Sequence, residues 1–434
     1  MIMSTGSNNQ VLSGTNHKIV IPFYGYAALA FLAANILLLS SVNAFTGHHF
    51  HPHLLAITHL MALGWGTMII LGASHQLVPV LIEGKLYSTK LGIISFVLAG
   101  AGIPLLVYGF YTFNLRWPAW TGGIMINLAV LAYLINLALS ISKSKKENLH
   151  ALFIFTAGTW LFITTAIGLL LLFNFTYVLL PKDSLTYLNL HAHLGIAGWF
   201  LLMVMGVGTR LIPMFLISSY KNNRVLWLIY YSTNLGLLSL FFVSVNESIE
   251  ALYLIPLALI IISIISFAWF CMKSYRSRLR NRLDEPMKIS LLSAAMMALP
   301  IMLLAILLVN RMLTGQENNL AVAYGSTIFF GWVTAIILGI TFKTLPFIVW
   351  NKQFKEKAGK GISANPKDLF SKRLFNWMAI LYISGFLVFV TGILFVETWL
   401  LKTGAGLLLM TAISYNLNIY QILFPSNKKH GNHQ

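Results

Sequence analysis

The feature that most constrains this chain is a succession of apolar runs, several of them as long as a helix that crosses a bilayer. Hydrophobic residues make up 58% of the 434 residues and charged residues only 9%, which is well outside the range of soluble domains. We therefore predict an all-α polytopic membrane protein with about twelve transmembrane helices. The predicted spans are roughly 19–41, 54–82, 91–112, 119–142, 150–173, 188–216, 225–245, 251–272, 289–310, 320–349, 374–395 and 399–424.

One motif, G-W-x6-G-x6-P, occurs three times, and the copies start 134 and 133 residues apart. Its glycines are typical of close helix packing in membranes, and its proline predicts that each helix ends or kinks nearby. The spacing predicts three pseudo-repeated four-helix units, at 19–148, 149–285 and 286–425, between polar tails at 1–18 and 426–434. The copies run over Gly64–Pro79, Gly198–Pro213 and Gly331–Pro346.

Basic residues fall in alternate connections between the predicted spans, and together they give the chain a formal charge of +18. Because cytoplasmic loops carry an excess of Lys and Arg, we predict a bacterial-type inner membrane protein with both termini cytoplasmic. This pattern makes lipid the expected partner rather than nucleic acid. One side holds Lys18, Lys85, Lys90, Lys143, Lys145, Lys146, Lys221, Arg224, the runs 273–288 and 352–373, Lys428 and Lys429; the other holds Arg116, Lys182, Arg311 and Lys402.

Two histidines occupy equivalent positions in the first two copies, five residues before the Gly-Trp pair. These are His59 and His193, and the third copy has Ser326 there. A histidine within a membrane span is costly unless it has a partner, which makes it a functional candidate. Imidazole suits haem iron, copper and zinc. The hypothesis is a pair of cofactor ligands, and the alternative is an ordinary interhelical hydrogen bond.

A histidine cluster precedes the second span. His49, His51 and His53 alternate around Pro52, which predicts an extended segment with its imidazoles on one side. With His191 at the mouth of the sixth span, this arrangement predicts a copper or zinc site on the outer face. The alternative is that these histidines anchor the chain at the membrane interface.

A third aligned position, three residues before each motif proline, holds Gln76, Arg210 and Lys343. The two cations predict a basic region able to hold haem propionates or another anion. The alternative is that they snorkel to the membrane surface or cap loop carbonyls. The lone cysteine, Cys271, excludes a disulfide within the chain and thiolate clusters. No Asp or Glu lies within a predicted span, so a proton pump that uses buried carboxylates is not expected.

The predicted topology and the pattern from His59 to Pro79 resemble subunit I of the haem-copper oxidase superfamily, which includes the C-type oxidases and nitric oxide reductases. The resemblance implies that His59 is a low-spin haem ligand and that His191 or His193 matches a copper ligand. The remaining histidines of the family's binuclear centre have no counterpart, because 225–245 contains no histidine and Tyr324 and Ser326 stand in the tenth span. The chain resembles, more loosely, the twelve-span haem- and copper-containing proteins of bacterial nitric oxide response.

These observations predict a divergent, oxidase-like protein that binds haem b, copper or both. Zinc is the third choice of metal. The expected role of the protein is electron transfer or the chemistry of nitric oxide or oxygen, without proton pumping. The alternatives are a copper or haem transport protein and an unconventional oxygen or nitric oxide reductase. The resemblance implies a quinol or cytochrome electron donor, and a homo-oligomer or further membrane subunits. No catalytic residue is assigned, and whether the protein is an oxidoreductase stays open.

Overall fold

The computed structural model describes residues 17–144, 148–246, 250–279, 282–314, 319–353 and 365–425. It is all-helical, with 86% helix and no strand in these ranges. The predicted polar tails, apart from the first helix's start at His17, lie outside the described residues, as does the centre of the polar loop 351–373, which the sequence predicts to be mobile.

Long apolar helices make up almost the whole of the described chain. Eleven of them, α1 to α11, are long and apolar enough to cross a membrane, so the protein is a multi-pass membrane protein. Helix α12 is a further helix of 26 residues, and its role as a twelfth span stays a prediction. The helices are α1 His17–Ser40, α2 Pro52–Leu81, α3 Thr89–Tyr111, α4 Trp117–Ser142, α5 Leu149–Tyr177, α6 Leu188–Leu216, α7 Asn223–Val245, α8 Leu254–Arg276, α9 Glu285–Leu313, α10 Leu320–Gln353, α11 Lys372–Phe395 and α12 Thr398–Leu423.

The three helices that carry the motif, α2, α6 and α10, share a local departure from α-helical geometry. Each contains a π-helical segment, over Leu60–Thr67, Leu194–Leu201 and Thr327–Val333. The segments begin 134 and 133 residues apart, which is the spacing of the sequence motif. π-helical turns are rare and are often found at functional sites.

The chain divides into two compact units. Unit 1 consists of Ala73–Leu283 with the residues up to Ile19, and unit 2 consists of Val20–Gly72 and Asp284–Gln434. Unit 1 therefore holds α3 to α8, and unit 2 holds α9 to α12 and most of α1. The division into three four-helix units stays a prediction.

Glycines set the packing of unit 1. A Cβ at Gly206 of α6 would lie 2.3 Å from Cβ of Phe153 on α5, and one at Gly198 would lie 2.7 Å from Cβ of Trp160. Since real Cβ atoms do not approach so closely, only glycine allows α6 to lie against α5 at these points. Helices α3 and α4 pack in the same way, with Gly102 against Gly122.

The motif glycines have the same role in unit 2. A Cβ at Gly72 of α2 would meet Cβ of Phe23 on α1 at 2.7 Å, and one at Gly339 of α10 would meet Oγ of Ser290 on α9 at 2.2 Å. The motif tryptophan Trp65 is fully buried and stacks on Phe31 with ring centroids 4.4 Å apart. Close helix contacts, as predicted from the sequence, explain these glycines.

The motif prolines do not behave alike. Pro79 and Pro213 lie two and three residues before the ends of α2 and α6. Pro346 lies inside α10, which continues to Gln353, so this proline does not end its helix, and a kink there stays a prediction. A membrane helix tolerates the loss of the backbone hydrogen bond that proline removes, because neighbouring groups can satisfy the freed carbonyl.

Candidate histidine ligand sites

The ring of His59 is fixed by its own helix. Its Nδ1 lies 2.8 Å from the backbone oxygen of Leu55, one turn earlier on α2. A carbonyl oxygen only accepts, so Nδ1 carries the proton and donates it, and Nε2 is the nitrogen with the lone pair. This is the tautomer of a histidine that binds a metal through Nε2, because the hydrogen bond from Nδ1 orients the ring and makes Nε2 more basic.

His193 has the same arrangement in unit 1. Its Nδ1 donates to the backbone oxygen of Asn189 over 2.8 Å, and Asn189 lies 134 residues after Leu55, as His193 does after His59. Both histidines directly precede a π-helical segment. The third copy has Ser326 at this position, which is buried and has no imidazole to offer. The sequence register therefore identified two histidines with identical local geometry.

His191 points away from the side of α6 that His193 occupies. Residues two apart on a helix lie about 200° apart around its axis. The Nδ1 of His191 donates to the backbone oxygen of Thr164 on α5 at 3.0 Å, and a Cβ at Gly168 would lie 2.7 Å from Cε1 of this ring. His191 thus has a ligand-type tautomer but packs against α5, so it does not form a chelate with His193.

The histidine cluster before α2 is arranged differently from the prediction. Helix α2 begins at Pro52, because proline favours the first position of a helix. His53 is therefore already helical, and the prediction of an extended H-x-H-x-H segment is wrong. The backbone N–H of His53 donates to Nδ1 of His51 at 3.2 Å, which caps the helix. The N–H of Phe50 likewise donates to Nδ1 of His48 at 3.1 Å.

These two hydrogen bonds make Nδ1 of His48 and His51 an acceptor, so the proton of each neutral ring sits on Nε2. That tautomer is opposite to the one found at His59 and His193. The remaining two rings lie close by: His49 has its centroid 4.1 Å from that of His48, and His53 lies 5.2 Å from His51. The geometry of the cluster fits a helix cap and ring contacts more closely than a set of metal ligands.

The number of available ligands bears on which cofactor fits. Within the described ranges, no group of three or more His, Cys, Asp or Glu side chains is placed to share a metal ion. Protein copper and zinc sites usually need three or four such ligands. Haem brings four nitrogens of its own and needs only one or two axial ligands from the protein. A singly anchored histidine such as His59 or His193 has the form of such an axial ligand.

The three residues at the aligned position before the motif prolines differ in charge and in surroundings. Lys343 forms an ion pair with Asp284, the residue that caps α9, and their side chains are 11% and 24% exposed. Arg210 is exposed on α6, and Gln76 is half-buried on α2. Asp284 neutralises Lys343, so Arg210 is the one cation at this position without an ion pair among the described residues.

Two further histidines lie in unit 1. His75 is buried, with its ring centroid 5.6 Å from that of Tyr133. Both line a cavity of about 10 Å³, which has room for about one water molecule. His150, near the start of α5, donates from Nδ1 to the backbone oxygen of Gly206 at 3.0 Å. The sequence did not single out His150, because its partner is a carbonyl 56 residues away and no motif marks it.

Comparison of the chain with the known protein families and with curated proteins finds no match.

Proposed function

We propose that this protein is an integral membrane haem protein, in which His59 and His193 each act as an axial ligand of a haem b. The observation that carries the proposal is that each ring donates a hydrogen bond from Nδ1 to the backbone carbonyl one turn earlier on its own helix, at 2.8 Å in both. Both rings then offer Nε2 as the ligand atom.

The identical geometry also supports an oxidase-like scaffold of three repeated four-helix units. The three π-helical segments recur at the motif spacing. The motif glycines Gly72, Gly206 and Gly339 each pack against the preceding helix of the predicted unit. On this proposal the twelfth span is α12, the membrane is a bacterial-type inner membrane, and both termini are cytoplasmic, as the alternation of basic loops indicates.

The residues near these histidines limit what such a centre does. When bound, haem supplies a one-electron couple and, where an axial position stays open, a place for nitric oxide or oxygen to bind. The protein's part is to hold each ring in one orientation and tautomer. The described spans have acids at their ends, as at Glu285 of α9, rather than in a chain through the membrane. We therefore propose electron transfer or gas chemistry rather than pumping, with a quinol or a cytochrome as donor.

The test is an oxidised-minus-reduced optical spectrum of the protein purified in detergent, with metal analysis of the same sample. We expect a Soret band with sharp α and β bands in the wild type, and their loss or shift in His59→Ala and His193→Ala. His48→Ala is the matched control, because His48 is exposed and has the opposite tautomer; its spectrum should equal that of the wild type.

Two outcomes would overturn the proposal. A haem spectrum that survives both His59→Ala and His193→Ala would show that other residues hold the iron. Copper or zinc without haem, lost when His51 and His53 are replaced, would instead favour the copper-handling alternative. Addition of carbon monoxide to the reduced protein distinguishes a six-coordinate electron carrier, which does not react, from a centre with an open position.

A further inference from the structure

A histidine joins the start of α5 to the second half of α6 in unit 1. His150, the second residue of α5, donates from Nδ1 to the backbone oxygen of Gly206 at 3.0 Å. The same oxygen accepts from Oγ1 of Thr209 at 2.9 Å. The ring of His150 is therefore held against α6, and its Nε2 has no hydrogen-bond partner among the described residues.

Arg210 follows Gly206 by one helical turn. Long side chains of a helix point back over the preceding turn, so the guanidinium of Arg210 extends toward the ring of His150, and its charge acts on that ring. Arg210 is exposed, and no ion pair joins its guanidinium to an acid in the described part of the chain. The donors of this guanidinium are therefore available to a ligand.

The third copy of the motif fills the corresponding position with an acid. Lys343, like Arg210, lies four residues after a motif glycine. Its ammonium pairs with the carboxylate of Asp284, at the start of the preceding helix. Asp284 precedes Lys343 by 59 residues, and His150 precedes Arg210 by 60. In unit 1, therefore, a histidine stands where unit 2 supplies a carboxylate to the cation.

We propose that Arg210 and His150 bind an oxyanion, a phosphate or a carboxylate group, as Lys343 binds the carboxylate of Asp284. A guanidinium pairs with either group through two parallel hydrogen bonds. His150 adds a third donor at Nε2 when its ring is protonated, a form that an adjacent anion favours. Since Arg210 is exposed and His150 is half-exposed, the ligand needs no opening between the packed helices.

The oxyanion site is separate from the haem centre proposed above. Arg210 lies 17 residues after His193 on α6, which is about 25 Å along the helix. A propionate of a haem bound to His193 does not reach that far. The oxyanion therefore comes either from the headgroup of an anionic lipid or from solution.

The test is a calorimetric titration of inorganic phosphate into the full-length protein in phosphatidylcholine nanodiscs. We expect binding that weakens about tenfold in Arg210→Gln, which removes a charged pair of hydrogen bonds, and about fivefold in His150→Gln, which removes one. Arg210→Lys keeps the charge and loses the fork, so its loss should be smaller than that of Arg210→Gln. Arg224→Gln is the matched control, because Arg224 is also exposed in unit 1 and has no ion pair with a described residue; it should leave binding unchanged.

A second measurement identifies the source of the oxyanion. Nanodiscs that also contain phosphatidylglycerol are analysed by native mass spectrometry for the lipid that the protein retains. Retention of phosphatidylglycerol that is lost in Arg210→Gln and kept in Arg224→Gln, without binding of inorganic phosphate, supports the site with a lipid headgroup as its ligand. Binding of phosphate without a preference for phosphatidylglycerol supports the site with a soluble oxyanion.

Three results would overturn the proposal. Equal losses in Arg210→Gln and Arg224→Gln would mean diffuse attraction of anions without a site. A protein that neither binds phosphate nor retains phosphatidylglycerol would have no oxyanion site. Glu147 lies outside the described residues, next to Asn148 in the sequence, and binding that strengthens about tenfold in Glu147→Gln would mean that its carboxylate already fills the site. If His150→Gln fails to fold, the Arg210 variants decide, since that side chain is exposed.

Discussion

One hydroxyl group in unit 2 serves two buried partners that belong to different helices. The indole Nε1–H of Trp65 on α2 donates to Oγ1 of Thr334 at 3.2 Å. The same hydroxyl donates to the backbone oxygen of Phe329 at 2.6 Å, inside the π-helical segment of α10. Trp65 and Thr334 are 0% and 1% exposed, so water does not replace either bond. Thr334 therefore joins the two motif-bearing helices of the unit.

Thr334→Val keeps the shape of the side chain and removes the hydroxyl. A buried N–H left without an acceptor costs about 1–3 kcal/mol, and the lost bond to Phe329 adds about 0.5–1 kcal/mol. We expect the free energy of unfolding to fall by about 2–3 kcal/mol. With an unfolding entropy of roughly 2 cal/mol/K per residue, a single transition of all 434 residues would then melt about 3 °C lower.

The control is Thr411→Val, the same exchange at another buried site of unit 2. The hydroxyl of Thr411 is 0% exposed and donates only to the Leu407 carbonyl of its own helix at 2.9 Å. That carbonyl keeps its helical hydrogen bond, so the loss should stay below about 1 kcal/mol. The assay is thermal unfolding of both variants in detergent at one scan rate. Equal melting temperatures for Thr334→Val and Thr411→Val would refute the role given to the shared hydroxyl.

Two further changes test packing and pH dependence. Gly206→Ala would place Cβ 2.3 Å from that of Phe153, so we expect a loss of about 1–3 kcal/mol and a lower melting temperature; Gly406→Ala, whose Cβ meets no described atom within 4 Å, should be neutral or slightly stabilising. Burial, and then the neighbouring His53, lower the pKa of His51. The contribution of His51 to folding stability is therefore fully present above the ordinary histidine pKa of about 6.5, and it is lost as pH falls through the lower pKa of the folded state. At that low pH, hydrogen exchange at the start of α2 should accelerate, because a protonated Nδ1 of His51 cannot accept from the N–H of His53. His51→Asn, which caps the helix at any pH, should abolish this acceleration. A hydrogen-exchange rate that does not change with pH in the wild type would contradict the role of His51 as a cap.

The sequence predicted the helices and the equivalence of His59 and His193, because both depend on patterns that repeat along the chain. Length and hydropathy define apolar helices in lipid, and a repeated motif supplies its own register. The tautomers of these histidines were not predictable, since they depend on the carbonyl oxygen that each ring reaches. The same limit applies to His150, whose partner Gly206 is remote in sequence.

Local rules explain the prediction that failed at the start of α2. Pro52 restricts the residue before it to an extended conformation, and His51 is extended, with φ of −89° and ψ of 136°. The same proline also favours the first position of a helix, so the helix begins two residues before the predicted start. The pairing of Lys343 with Asp284 also lay beyond the sequence, because 59 residues separate the two and only the packing of α9 on α10 brings them together.

The π-helical segments give each motif-bearing helix two independent phases. A residue accommodated in a wider turn rotates the N-terminal part of the helix by about 100° relative to the C-terminal part. On α2 the segment Leu60–Thr67 separates His59 from the second glycine and the proline of the motif. All three copies keep this segment in the same register, so His59, His193 and Ser326 stand in the same phase relative to the packed half of their helices. The scaffold is therefore constant among the copies, and only the chemistry of the side chain at this position differs.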